Sequence, residues 1–381
     1  MSKSNETTPN VPTLRFPNYS GEWLVSSMGK VCTFRKGYGI SKENLSSDGT
    51  PCILYGELYT TYKTAIAKSI KSRTNLDPTI LFHSKKNDVI IPCSGETAED
   101  IATSVCIPYD DILLGGDLTV IRSDLDGAFL SNQINSVRKY DIARIAQGKS
   151  IVHLQADELK KISIAYPTID EQRKISGFID KIDERIEVQN KIISKYETLI
   201  KGLSYYIIKK FNGKAYKLGT LAEIYQPQTI TKTDLPDNGK YPVYGANGII
   251  GFYDRFNHKE SQIMITCRGS TCGTVNLSTP YSWITGNSMV INIDEHTSIV
   301  DKKYLYYYLK TQSFNDLISG SGQPQIVRKP LVNLNVFLPE ISQQIKLREI
   351  IDTFEKTLKN EKEMLSALQK QKAFLLQSMF I

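Results

Sequence analysis

Between Ile175 and Ile207 the apolar positions advance by alternating steps of four and three. They are Ile175, Ile179, Ile182, Ile186, Ile193, Tyr196, Ile200, Leu203 and Ile207, with Gln189 as one polar member. This is the pattern of a helix with one packed seam. It predicts a helix from Thr168 to about Phe211, roughly 60 Å at 1.5 Å per residue. Thr168 and Glu171 form a capping-box pattern at its start, and Asn212-Gly213 stops it. The same seam returns as Leu347, Ile351, Phe354, Leu358, Glu361, Leu365, Leu368, Lys372, Leu375 and Met379, in a helix running to the C-terminus. Neither rod is stable alone, and the simplest partner for each is the other, paired antiparallel. The seam residues Ile179, Ile186, Ile193, Leu203, Ile351, Leu358, Leu365 and Leu375 are expected between the helices. The polar members Gln189, Glu361 and Lys372 would lower stability and fix register, or face solvent.

The two seams belong to a longer repeat. Gly148–Pro167 (GKSIVHLQADELKKISIAYP) lies over Gly320–Pro339 (GSGQPQIVRKPLVNLNVFLP) without a gap, at an offset of 172 residues. The offset carries on through Gln172 and Gln344. Earlier in each half, Met28-Gly29-Lys30-Val31 resembles Leu218-Gly219-Thr220-Leu221 at an offset of 190, so the first half holds about 18 more residues in its middle (190 less 172). Periods this long mark duplicated domains. Shared ends around divergent middles suggest one framework carrying two different readers.

The middles read as short strands between turn signals. Strand-like pieces are Val89–Ile91, Ile112–Leu114, Leu118–Ile121 and Ile162–Ala165, then Gln262–Thr266, Thr274–Leu277 and Ser288–Ile293. Helices are expected over Asn132–Ala146 and over Lys302–Thr311, the latter with its tyrosines partly exposed. The domain plan is a flexible arm over residues 1–22, a first reader over 23–167, a helix over 168–212, a second reader over 213–339 and a closing helix over 340–381.

With 381 residues and 40% hydrophobic content the chain can build two or three cores. The polar start MSKSNETTPN lacks the apolar region of a signal peptide, and no apolar run approaches the roughly 18 residues of a membrane span. Cys32, Cys52, Cys93, Cys106, Cys267 and Cys272 form no CxxC pair, which suits reduced thiols in a cytoplasmic protein rather than a metal site. The net charge is +7, and its distribution says more than its size. Lys63, Lys68, Lys71 and Arg73 stand between Tyr59 and Leu76 without an acid. Lys201, Lys209, Lys210, Lys214 and Lys217 do so between Thr198 and Ala222. Such stripes can follow a phosphate backbone, or simply be solvated.

A search for catalytic motifs finds no phosphate-binding GxxxxGK[ST], no HExxH and no GxSxG elbow, and His83, His153, His258 and His296 are isolated. The turn-rich loops offer recognition chemistry instead. They are Tyr244–Gly251, Cys267–Gly273 and Thr285–Ser288 in the second half, with Cys93–Thr97 and Leu114–Asp117 in the first. Small residues there let backbone approach a ligand closely. Arg268 could take a guanine edge and Asn287 an adenine edge; Gly and Asn also suit plain hairpin turns. The candidate DNA-contacting set is Lys63, Arg73, Ser94, Glu96, Asp117, Asn247, Arg268, Ser270 and Asn287, with Lys209, Lys210 and Lys214. No catalytic and no metal-binding residue is assigned.

This organisation resembles the specificity (S) subunit of type I restriction–modification systems. The resemblance rests on the half-and-half repeat and on the Met28-Gly29 and Leu218-Gly219 domain starts. It rests also on YPVYGANGIIGFYD at Tyr241–Asp254, GSGQPQI at Gly320–Ile326, and the proline-and-glutamine helix starts at Tyr166–Gln172 and Leu338–Gln344. The first half departs from it at GKSIVHL. The resemblance implies an α+β fold: two mixed α/β target recognition domains separated by two long conserved helices, paired as an antiparallel coiled coil with internal pseudo-twofold symmetry. It implies a non-catalytic subunit that reads a bipartite target in double-stranded DNA. It further implies docking of two modification subunits, adenine methyltransferases using S-adenosylmethionine, and of ATP-driven restriction subunits, with no cofactor of the chain's own. Two other readings stand beside it. One is a two-headed coiled-coil adaptor that binds protein. The other is the S-like subunit of a fused restriction–methylation enzyme.

Overall fold

The computed structural model describes residues 10–148, 151–210, 213–320 and 322–381. They form two compact units, Met1–Asn190 with Glu363–Ile381, and Lys191–Lys362. Each unit is built on a four-stranded antiparallel sheet. In the first, β1 (Cys32–Lys36), β2 (Asp88–Pro92), β3 (Val105–Ile107) and β4 (Leu118–Ser123) lie in the order β1-β4-β2-β3. In the second, β5 (Glu223–Tyr225), β6 (Ile263–Thr266), β7 (Val275–Leu277) and β8 (Ser288–Asn292) lie in the order β5-β8-β6-β7. The topology is the same.

Strand β2 is buried along its whole length, and its side chains alternate between faces. Val89 and Ile91 enter one core with Met28, Leu130 and Ile134. Ile90 enters another with Ile53, Leu58 and Val120. Strand β6 divides likewise, with Ile263 and Ile265 in the main core of the second unit and Met264 opposite, beside Tyr244 and Ile284. A fully apolar run therefore marks a sheet covered on both faces.

Both sequence offsets reappear as strand register. Leu24–Ser27 pairs antiparallel with Ser163–Tyr166, Leu24 facing Tyr166. Lys214–Lys217 pairs with Asn335–Leu338, Lys214 facing Leu338. One partner shifts by 190 and the other by 172.

Some elements differ from the sequence expectation. The single helix expected over Asn132–Ala146 is two, α1 (Gly127–Asn135) and α2 (Lys139–Ile145). The backbone leaves helical geometry at Ser136, φ −119° and ψ −96°, and the Ser136 hydroxyl turns back to the Asn132 carbonyl at 2.6 Å. Much of the expected loop Tyr244–Gly251 is a hairpin, Tyr241–Gly245 against Gly248–Tyr253.

The long helices are α3 (Ile169–Lys210, 42 residues) and α5 (Ile341–Ser378, 38 residues). In the first unit the start of α3 meets the end of α5. Ile175, Ile179 and Ile182 share a core with Leu375 and Met379, and Asp183 pairs with Lys372 at 2.5 Å. In the second unit Ile207 meets Leu347 and Ile351, and Glu197 pairs with Lys362 at 2.6 Å. In both units the partner numbers fall as α3 advances, so the pairing is antiparallel. Of the named seam residues, Ile179, Ile193, Ile351 and Leu375 are buried, while Ile186, Leu203, Leu358 and Leu365 are half-buried. The deepest are those that a head also covers: Ile179 lies with Trp23 and Phe129, Ile351 with Tyr304 and Leu305. Two helices alone leave the flanks of their seam open.

Helix α4 (Lys302–Lys310) shows how a head covers that seam. Tyr304, Tyr307 and Tyr308, expected partly exposed, are buried. The Tyr307 hydroxyl lies 2.7 Å from both the Asp352 and the Glu355 carboxylates of α5 and donates its one proton between them.

Each long helix opens on a glutamine clamp. The Gln172 side chain donates to the Pro167 carbonyl (2.8 Å) and accepts the Asp126 N–H (2.9 Å) at the start of α1. Gln344 donates to Pro339 (2.8 Å) and Ile299 (3.0 Å) and accepts the Asp301 N–H (3.0 Å) at the start of α4. Asp126 and Asp301 in turn cap those helices. Residues 1–9 of the expected arm lie outside the described residues. Residues 10–22 lie against the first unit: Arg15 pairs with Glu171 at 2.7 Å, Phe16 packs on Phe178, and the Leu14 N–H donates to Ser378. Glu171, expected as a capping-box partner, thus spends its carboxylate on Arg15. Among the described residues no helix is long and apolar enough to cross a membrane.

Candidate nucleic-acid interface

In the second unit the structure brings four turns to one end of the sheet. They are Ala246-Asn247, the loop after β6, the loop before β8, and the GSGQPQI element, of which Ser321 lies outside the described residues. Cys267 ties three of them: its N–H donates to the Asn287 carbonyl (2.9 Å), and its carbonyl accepts the Ile326 N–H (3.1 Å). Arg268 lies opposite Gln325 in a β-bridge, and Gly269 donates to the Pro324 carbonyl (3.0 Å). Gly269 sits at φ +87°, a conformation that favours glycine. The fourth turn joins through Thr271, whose hydroxyl donates to the Asn247 amide oxygen at 2.5 Å. Asn247, Arg268 and Ser270 are exposed and Asn287 is half-buried. This places four of the sequence candidates in one cluster. Gln226 completes it by donating to the Gly286 carbonyl.

The first unit repeats this wiring. The Cys93 N–H donates to Asp117 (2.7 Å), and the Cys93 carbonyl accepts the Leu154 N–H (2.9 Å). Ser94 lies opposite His153, as Arg268 lies opposite Gln325. Gln147 and His153 exchange backbone bonds, as do Ser319 and Gln325. GKSIVHL, different in sequence from GSGQPQI, therefore makes the same bonds where it is described; its Lys149 and Ser150 lie outside the described residues. Ser94 and Asp117 line an open cavity of about 530 Å³ with Lys36, His153 and Lys160. The Ser94 hydroxyl lies 3.2 Å from the His153 Nδ1. Asp117 sits at φ +57°, which Asp and Asn tolerate better than most residues. Glu96 is exposed on the adjoining loop.

The basic stripes divide by partner. Lys68 is held by Asp180 (2.6 Å) and Glu184 (2.9 Å). Beside Lys181 and Lys68, the Glu184 carboxyl falls to about 2. Lys63 donates to the Tyr59 carbonyl (2.5 Å) and Arg73 to Gly49 (2.7 Å). Tyr59 in turn donates its hydroxyl to the Ser94 carbonyl (2.6 Å), which links Lys63 to that turn at one remove; the Arg73 bond does not reach it. In the other stripe, Lys210 and Lys214 are exposed, each with its ammonium 5.4 Å from a tyrosine ring centre, Tyr206 and Tyr216. The Lys209 side chain lies outside what is described. Four of the six cysteines are buried, and burial pushes the Cys32 and Cys52 thiols up to about 11 and Cys106 to about 12. That suits core residues rather than nucleophiles.

Sequence reasoning passed over Lys36, Gln226, His153 and Gln325. The last two were within reach, since they stand 172 residues apart inside the aligned repeats.

The family model for the type I restriction modification DNA specificity domain matches twice, over residues 20–198 and 212–370. The chain belongs to this family. Each copy of the DNA specificity domain holds the four-stranded antiparallel sheet described above, one Cys-centred turn cluster and most of one long helix. A similar protein is the type I restriction enzyme EcoprrI specificity subunit of Escherichia coli, 27% identical over 152 residues, 39% of this chain and 37% of the relative. Another is a putative type I restriction enzyme specificity subunit of Haemophilus influenzae, S.HindORF215P, 25% identical over 125 residues, 32% of this chain and 31% of the relative. The matches thus span about a third of the length of these curated relatives. The fold extends the likeness. An S subunit of a type I restriction–modification system from M. genitalium superposes with a TM-score of 0.66 at 18% identity, over 97% of this chain and 99% of that one. A chain from the structural study of complex assembly and conformational transition of the type I R-M system gives 0.57 at 17% identity, over 94% and 97%.

Proposed function

We propose that this specificity-family chain is the DNA sequence-recognition subunit of a type I restriction–modification complex. It reads a bipartite, asymmetric target in double-stranded DNA, one half-site with residues 23–167 and the other with 213–339. The observation that carries this reading is one backbone arrangement of turns built twice with different side chains. Phosphates position a protein on DNA, whereas polar side chains at base edges specify sequence. Two like frameworks with unlike side chains are what a two-part, unequal target requires. The chain supplies recognition only. Methyl transfer belongs to two docked modification subunits, which carry the S-adenosylmethionine, and cleavage to ATP-dependent restriction subunits.

Purified with a cognate modification subunit, the chain is expected to direct adenine methylation to one discontinuous motif, and alone to methylate nothing. Methylation by the chain alone, or methylation by the pair without a motif, sinks this reading. Phosphate contacts make binding fall with salt. Neutralising Lys209, Lys210 and Lys214 together is expected to weaken binding to all sequences alike and to reduce the slope of log K against log salt by about 2–3, near 0.9 per lost contact. An unchanged slope places these lysines away from DNA.

A further inference from the structure

The shared backbone wiring allows residues of the two units to be matched without regard to their identity. Cys93 and Cys267 are anchors, since each donates to the residue before an inner strand and accepts from the end of a repeated element. Three positions follow. Asp117 corresponds to Asn287, the carbonyl taken by each Cys N–H. Ser94 corresponds to Arg268, the residue after each Cys. His153 corresponds to Gln325, the residue opposite that one and bonded to a partner six residues earlier.

We infer that these three matched positions are the specificity determinants of the two units: Asp117, Ser94 and His153 for one half-site, Asn287, Arg268 and Gln325 for the other. This rests on the DNA-recognition reading above and adds which residues discriminate. In every pair the framework uses main-chain atoms, so the side chains are not what fixes the turns; Ser94 and His153 meet each other, Oγ to Nδ1 at 3.2 Å, a bond that a base edge would have to replace. The chemistry within the pairs is unlike. The Asp117 carboxylate only accepts, which suits a cytosine amino group. The Asn287 amide both donates and accepts, which suits an adenine edge. The Arg268 guanidinium offers a fork for guanine, where Ser94 offers one hydroxyl. Equal frames with unequal side chains read different bases.

The exchange Asp117→Asn, and separately Asn287→Asp, tests this most cleanly. Each swap is isosteric, keeps the bonded carbonyl and introduces the residue that the other unit already holds. The full chain, co-expressed with its modification subunits, is used to select duplexes from a randomised pool. Each swap is expected to change preference at one base of one half-site by about 10- to 100-fold, leaving the other half-site and the spacing as they were. The double exchange Ser94→Arg with His153→Gln should shift bases in the same half-site as Asp117→Asn. Urea midpoints check folding, and if one isosteric swap unfolds its unit, the swap in the other unit decides. If folded variants all recover the unaltered motif, with affinities within about twofold as for neutral surface changes, the assignment of determinants is overturned while DNA recognition stands. If the unaltered chain itself selects no motif, the recognition reading fails instead.

Discussion

Replacing Lys372 with methionine is expected to destabilise the first unit by about 3–5 kcal/mol, the usual result of stripping one partner from a buried ion pair. The Lys372 ammonium lies 2.5 Å from the Asp183 carboxylate, whose side chain is 7% exposed. Burial holds the Asp183 carboxyl above its ordinary value, more strongly than Lys372 draws it down. Without the lysine, the helix seam holds an uncompensated charge. The sign with pH follows. A carboxyl raised in the folded state favours the protonated form there, so stability is greatest below the ordinary aspartate value and is lost as pH climbs through the raised one. Acidifying toward the ordinary aspartate range should therefore recover part of the loss in Lys372→Met. The double change Asp183→Leu with Lys372→Met should be near neutral or stabilising. Urea unfolding of both variants across pH tests the set. Equal losses in the single and double variants would show that the pair is not what holds this part of the seam.

Gln344→Leu should cost about 3 kcal/mol or more, because each buried backbone group left without a partner costs roughly 1–3 kcal/mol. The Asp301 N–H and the Pro339 carbonyl lose theirs together, and the carbonyl of the more exposed Ile299 loses a third bond. Gln172→Leu orphans two, the Asp126 N–H and the Pro167 carbonyl, and should cost less. Calorimetric unfolding ranks them. A Gln344→Leu variant as stable as the unaltered chain would mean that the clamp contributes nothing.

Those two glutamines show how far the sequence can be read. Their spacing of 172 residues was plain, yet what they hold was not. The Asp126 and Asp301 amides lie more than forty residues earlier in the chain, and no local pattern announces such a bond. The helices and their seam were legible because a period is a local property repeated many times. Strand β2 was legible because an unbroken apolar run has few other homes. The break at Ser136 was missed because it depends on one hydroxyl turning to Asn132. The burial of Tyr304, Tyr307 and Tyr308 was missed because α5 supplies their cover and, for Tyr307, its acceptors. Lys68 counted as a free cation in the stripe because its acids, Asp180 and Glu184, stand over a hundred residues away. Among the site candidates, Ser94, Asp117, Arg268 and Asn287 were found by residue type. That they form matched pairs follows only from amides and carbonyls, which a sequence does not display.

The use of main-chain atoms at Cys93 and Cys267 has a consequence for how such a molecule changes over generations. Substitutions at exposed positions away from packing and caps usually shift stability by no more than about 0.5 kcal/mol. A turn secured through its peptide groups can therefore exchange what it displays while its fold stays above the threshold for survival. New preferences are then reachable by single steps, each through a folded ancestor, and a drift in one copy of the duplication leaves the other copy's preference in place.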